Sequence, residues 1–201
     1  MARVHGNRII TRRTNYSLLR DYRNYKSILI EDFKNICGYC GKNFEYISCQ
    51  SQIDHFIPLS FCKENGKDEL TYKYENLVYS CSVCNRNKSN DWPSKSFTSH
   101  HNNIQGYVDP ASSDYDVHLS RDKNGSIIAN TEVGNYMVSH FKFNVRPIDI
   151  IWLVEQLQEK LIVLGKKIER QMDNELCKEF YFISKKLNTS FSTLKKHKEQ
   201  L

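Results

Sequence analysis

The chain has 201 residues, 39% of them hydrophobic, and a net charge of +6, which suits one compact domain with appendages and leaves too little chain for two large ones. No run approaches the roughly 20 apolar residues a membrane helix needs, and MARVHGNRII lacks the apolar centre of a secretory signal, so the expected protein is cytoplasmic and has no membrane partner. In that compartment seven cysteines argue against a disulfide framework, because thiols there are kept reduced.

Residues 1–26 carry seven cationic side chains against Asp21 alone, so the whole net charge of +6 falls in this stretch. Arg3, Arg8, Arg12 and Arg13 make it a candidate nucleic-acid-binding arm, since clustered cations gain by displacing counterions from a polyanion; a solvated leader explains the charge equally. Residues 15–36 place Tyr16, Leu18, Leu19, Tyr22, Tyr25, Ile28, Leu29, Phe33 and Ile36 near helical spacing. This predicts an amphipathic helix leading into Cys37-Gly-Tyr-Cys40. Gln52 to Ile57 and Leu77-Val78-Tyr79 are strand-like runs, with Pro58 and a polar loop between them. After Cys81-Ser-Val-Cys84 the polar run from Asn85 predicts a short helix ending near Trp92-Pro93. Asp122-Lys123-Asn124-Gly125 predicts a hairpin turn. From Ile148 an apolar stripe through Ile151, Leu157, Leu161, Leu164 and Ile168 predicts helices. The expected organisation is an arm and helix over 1–29, a core over 30–95, a hairpin-containing extension over 96–147 and a helical segment over 148–201.

The two C-x2-C knuckles carry the clearest chemistry. Each brings two thiolates to one point, and Cys37, Cys40, Cys81 and Cys84 together suit a structural Zn²⁺; four buried free thiols are the alternative. Cys49, Cys62 and Cys177 are isolated and read as ordinary small residues. Between and after the knuckles stand Asp54-His55 with Pro58, then Asn76-Leu77, then Cys84-Asn85-Arg86-Asn87-Lys88. This ordered set resembles the HNH (ββα-metal) endonuclease family, whose pattern runs C-x2-C, D-H-x-x-P, N-L and C-x2-C-[HN]-x-x-K. The resemblance covers residues 37–88.

The resemblance implies an α+β fold with a zinc-stapled ββα core, and hydrolysis of phosphodiester bonds in nucleic acid, most of all double-stranded DNA. It makes His55 the general base, Asp54 and Asn85 ligands of a catalytic divalent ion, and Asn76 a brace for the loop between the strands. Asparagine stands at Asn85 where many members have histidine, and a hard oxygen ligand favours Mg²⁺ or Mn²⁺. Asn85 is also a good helix cap. Arg86 and Lys88 fit phosphate contacts or a solvated helix face. A role in restriction or anti-phage defence, beside an ATPase or sensor subunit, is a further implication. The rival readings are a zinc-dependent nucleic-acid-binding module without turnover and a partner-docking protein.

Overall fold

The computed structural model of the protein describes residues 2–46 and 49–197, so positions 198–201 of the expected C-terminal segment lie outside the described residues. The fold is α+β, with two small antiparallel sheets among helices. A 3-10 turn at Tyr22–Tyr25, capped by the Asp21 carboxylate on Arg23 N–H, runs into α1 (Lys26–Asp32), which buries Leu29. The helix therefore begins well after residue 15. Side chains take over the backbone before it: the Tyr25 hydroxyl accepts from Leu19 N–H at 2.8 Å and donates to Ser17 O at 3.2 Å. Leu18, on the predicted apolar face, is 70% exposed.

β1 (Ser51–His55) pairs antiparallel with β2 (Leu77–Cys81), in a register that sets Asp54 opposite Val78 and His55 opposite Leu77. A short helix α2 (Leu59–Glu64) starts directly after Pro58. α3 (Ser82–Lys88) follows β2 without a loop. It starts earlier than the polar run from Asn85 suggests, because Cys81 caps it through its sulfur, which accepts from Cys84 N–H. It stops at Ser89, whose φ of +49° is left-handed and ends helical pairing.

After α4 (Tyr115–His118), the predicted hairpin is β3 (Leu119–Arg121) with β4 (Ile127–Ala129). Its turn is organised by Asp122 Oδ1, which accepts from Asn124 and Ser126 N–H. Gly125 is required there, since its φ is +92° and an added Cβ would lie 2.3 Å from the Trp152 ring. α5 (Glu132–His140) is capped by Thr131. α6 (Ile148–Arg170) and α7 (Asn174–Lys195) form a helical hairpin, and Asp173 caps the second helix. α6 buries Ile148, Ile151, Val154 and Leu157, and α7 returns Ile183, Leu187 and Leu194 against it. Among the described residues no helix is long and apolar enough to cross a membrane.

The N-terminal segment is neither helical nor free. Ala2 and Arg121 exchange both backbone hydrogen bonds. Arg3 pairs with Asp116 at 2.5 Å, and Arg8 reaches Glu159 at 2.9 Å and Glu155 at 3.5 Å. Arg12 pairs with Asp109 at 2.6 Å while donating to Leu77 O, and Arg13 grips Asp32 through Nε and Nη2. The four arginines expected to contact phosphate each pair with a carboxylate of the body, so the segment lies docked along it.

Candidate active site and metal centre

Cys37, Cys40, Cys81 and Cys84 bring their sulfur atoms within 4.8 Å of one another, all buried. The Cys40 and Cys81 sulfurs are 4.0 Å apart, near the edge of ~3.8 Å that a tetrahedron with Zn–S bonds of about 2.3 Å requires. Backbone N–H groups of Cys81 and Cys84 point at the sulfurs of Cys37 and Cys81. Two cations back the cluster. Arg146, 7% exposed, aims Nη1 at the Cys84 sulfur at 3.2 Å and Nη2 at Cys81 and Cys40, and buried Lys42 adds its field on Cys81 and Cys40. As four free thiols the group is frustrated: hydrogen bonds from its neighbours draw Cys40 down, while burial drives Cys37 up. Zn²⁺ resolves that competition by replacing the protons, and the two cations offset the excess negative charge of four thiolates. The donor set fits structural zinc.

The knuckle also reaches the strand. Tyr39, between two cysteines, donates its hydroxyl to Asp54 Oδ2 at 2.5 Å. Lys88, fully buried on α3, lies 3.1 Å from the same oxygen and donates to His55 O at 2.9 Å. Lys88, expected as a nucleic-acid contact, is buried here as a partner of Asp54. Arg86, on the same helix, is exposed. Asp54 Oδ1 takes no hydrogen bond from the described residues.

His55 lies on the other side of the strand end. Its Nε2 is 3.0 Å from Thr71 O; a carbonyl only accepts, so Nε2 carries the proton and Nδ1 keeps its lone pair. The Tyr22 ring stands edge-on to the imidazole, with centroids 4.6 Å apart. Burial pushes the His55 pKa down, outweighing the hydrogen bond to Thr71, so the ring is neutral at pH 7. Alternating side chains of a regular strand point apart, and β1 has no bulge here. Both residues nevertheless line one cleft of about 200 Å³, with Pro58, Leu59, Asn85 and Ser89.

Asn76 closes the loop after β1: its Oδ1 accepts from Ile57 N–H at 2.8 Å and its Nδ2 donates to Ile57 O and Leu70 O. Asn85 sits inside α3 rather than capping it, and donates Nδ2 to Gln52 Oε1 at 2.7 Å.

Residues 37–91 match the family model described as HNH endonuclease. No curated protein and no solved structure matches the chain. The HNH segment contains both knuckles and Asp54, His55, Asn76 and Asn85, and HNH domains are nuclease domains that act on nucleic acid. Within it, Asp54 and Asn85 line the same cleft, and their side-chain oxygens are of the hard kind that suits a divalent ion.

Tyr39, Tyr22 and Arg146 were not anticipated from the sequence. Tyr39 carries a local signal, lying within Cys37-Gly-Tyr-Cys40. Arg146 carries none, being 62 positions from Cys84.

Proposed function

We propose that the protein is a divalent-metal-dependent endonuclease that hydrolyses phosphodiester bonds of double-stranded DNA, with His55 as general base. The observation that supports this reading is the Nε2–H tautomer of His55, held by Thr71 O so that Nδ1 keeps its lone pair, in a cleft that Asp54 and Asn85 also line. Nδ1 accepts a proton from a water as the water oxygen attacks phosphorus. The P–O3′ bond breaks on the opposite side, and the leaving oxygen takes a proton from solvent. Asp54 and Asn85 would hold a Mg²⁺ or Mn²⁺ ion, which would supply relief of the negative charge that builds up in the transition state. Asn76 contributes by keeping the loop after β1, and hence His55, in place.

Duplex DNA as substrate, and a place in restriction or anti-phage defence beside an ATPase or sensor subunit, rest on the family resemblance. The exposed Ile162, Val163, Phe180, Tyr181 and Phe182 of the α6–α7 hairpin are the surface such a subunit would cover. The test is conversion of supercoiled plasmid to nicked and linear forms by zinc-loaded protein across Mg²⁺, Mn²⁺ and softer ions. Cleavage that requires the added ion and is lost in His55→Ala is the expected result. A wild type that binds DNA but is inert with every ion supports a binding module without turnover instead.

A further inference from the structure

With Arg3, Arg8, Arg12, Arg13 and Lys88 committed to carboxylates, the positive charge a nuclease needs must come from elsewhere. The stretch Arg20–Lys26 is the part of the basic segment whose cations remain unspent. Arg20 and Lys26 are exposed and form no ion pair among the described residues. The Arg23 side chain is 76% exposed, with only a loose approach of 3.7 Å to Asp21. Asp21, the one carboxylate in the stretch, uses Oδ1 to cap the Arg23 N–H.

What distinguishes this stretch from an ordinary charged surface is its place. Tyr22 packs edge-on against the His55 ring at 4.6 Å, and the Arg23 guanidinium lies over the Tyr22 ring at 5.7 Å. Those two spacings together bound the distance from the guanidinium to the imidazole, at most about three nucleotides at roughly 3.4 Å per nucleotide of a strand. Lys26 opens α1 directly after the 3-10 turn that carries Tyr22 and Arg23. Across His55, Thr71 leads into exposed Tyr72 and Lys73.

We propose that Arg20, Arg23 and Lys26, carried with Tyr22 on the segment packed against His55, form the surface that holds the sugar–phosphate backbone beside the bond to be cut. This rests on the nuclease reading above and adds the substrate-holding residues to it. The contacts are to phosphate, so they set affinity and register without reading sequence. Tyr22 couples the two jobs: the ring that carries Arg23 is the wall of the general base.

The experiment is fluorescence anisotropy of zinc-loaded full-length protein with labelled duplex DNA over a range of KCl, without added Mg²⁺. Wild type is compared with Arg20→Gln/Arg23→Gln/Lys26→Gln and with Arg3→Gln/Arg13→Gln, and melting is recorded for each. For the first variant the expected result is unchanged melting, binding weakened at least tenfold at low salt, and a slope of log K against log salt shallower by about 0.9 for each lost phosphate contact. The second variant should melt earlier and keep the wild-type slope. A folded triple variant with the wild-type slope and affinity overturns the proposal, as does a second variant that takes the loss of slope instead. Plasmid cleavage separates the two readings. A wild type that never cuts, yet binds with the dependence described, removes the nuclease reading and leaves this surface standing.

Discussion

Lys88 Nζ lies 3.1 Å from Asp54 Oδ2 with neither side chain more than 7% exposed, so α3 and β1 are joined by a buried ion pair directly behind the cleft. Removing one partner of such a pair strands the other charge, at a cost of about 3–5 kcal/mol. Lys88→Met should therefore destabilise the protein by that order in urea unfolding, while Arg86→Met, at an exposed position on the same helix, should change it by less than about 0.5 kcal/mol. Equal, small effects of the two would show that the pair does not hold the module.

Tyr39→Phe isolates the other hold on Asp54. It removes the hydroxyl but keeps the ring, which packs 4.7 Å from Phe141. Zinc content and melting should stay near wild type. A hydrogen bond to a charged group contributes about 1.5–3 kcal/mol, so the Mn²⁺ concentration for half-maximal binding, read by water proton relaxation, should rise roughly tenfold or more. Unchanged Mn²⁺ binding would make Tyr39 a packing residue only.

His55→Ala should lower single-turnover cleavage by about a hundred- to ten-thousand-fold while zinc content remains intact. Burial lowers the pKa of His55, so its base form persists to lower pH than in a free histidine. The rate should rise with pH through an inflection below the ordinary value of about 6.5. An inflection clearly above that value would assign the limiting proton to another group. Asn85→His should stay active and shift the preference among ions towards softer ones.

Cys37→Ser or Cys84→Ser should prevent stable folding, because structural zinc contributes folding free energy directly. Elemental analysis and circular dichroism during chelation provide the check. Loss of zinc without loss of secondary structure would reduce the cluster to an accessory. Arg146→Met should keep the fold of the knuckles but speed zinc release, since the guanidinium at 3.2 Å from the Cys84 sulfur no longer offsets thiolate charge.

His5 is buried against Tyr115 and hydrogen-bonds Gly38 O at 2.6 Å; burial lowers its pKa to about 4. The unfolded chain takes up this proton first as pH falls, so the stabilisation is complete above about pH 6.5 and is lost on the way down to about 4, a swing of ~3 kcal/mol. His5→Gln, which keeps a donor towards Gly38 O, should flatten the dependence of unfolding free energy on pH across that window. A mutant curve parallel to wild type would place the acid sensitivity elsewhere.

The knuckles, the strand runs around Asp54 and Leu77, the Asn-Gly turn and the stripe from Ile148 were legible because each is written in neighbouring residues: thiolate spacing, alternation, a turn dipeptide, a 3.6-residue period. The start of α1 was misread because residues 16–19 follow helical spacing while their backbone partners are the side chain of Tyr25 and other tertiary groups. The docking of the arginines was not legible for a similar reason. A basic residue in sequence shows its charge but not its counter-ion, and Asp116 and Glu159 are 113 and 151 positions away from the arginines they meet. Lys88 looked like a surface cation because only the packed module shows that Asp54 lies beneath it.

The threading of residues 2–8 has a kinetic consequence. Apart from His5, which meets Gly38 O in the first knuckle, their partners are Arg121 in β3, Asp116 in α4, and Glu155 and Glu159 in α6, so most of this segment is closed by loops of very long span, which are slow to form. The zinc module needs only residues up to the second knuckle to gather its ligands. During synthesis it can collapse around metal while the basic segment still trails as an open polycation. Docking of that segment waits on helices made much later.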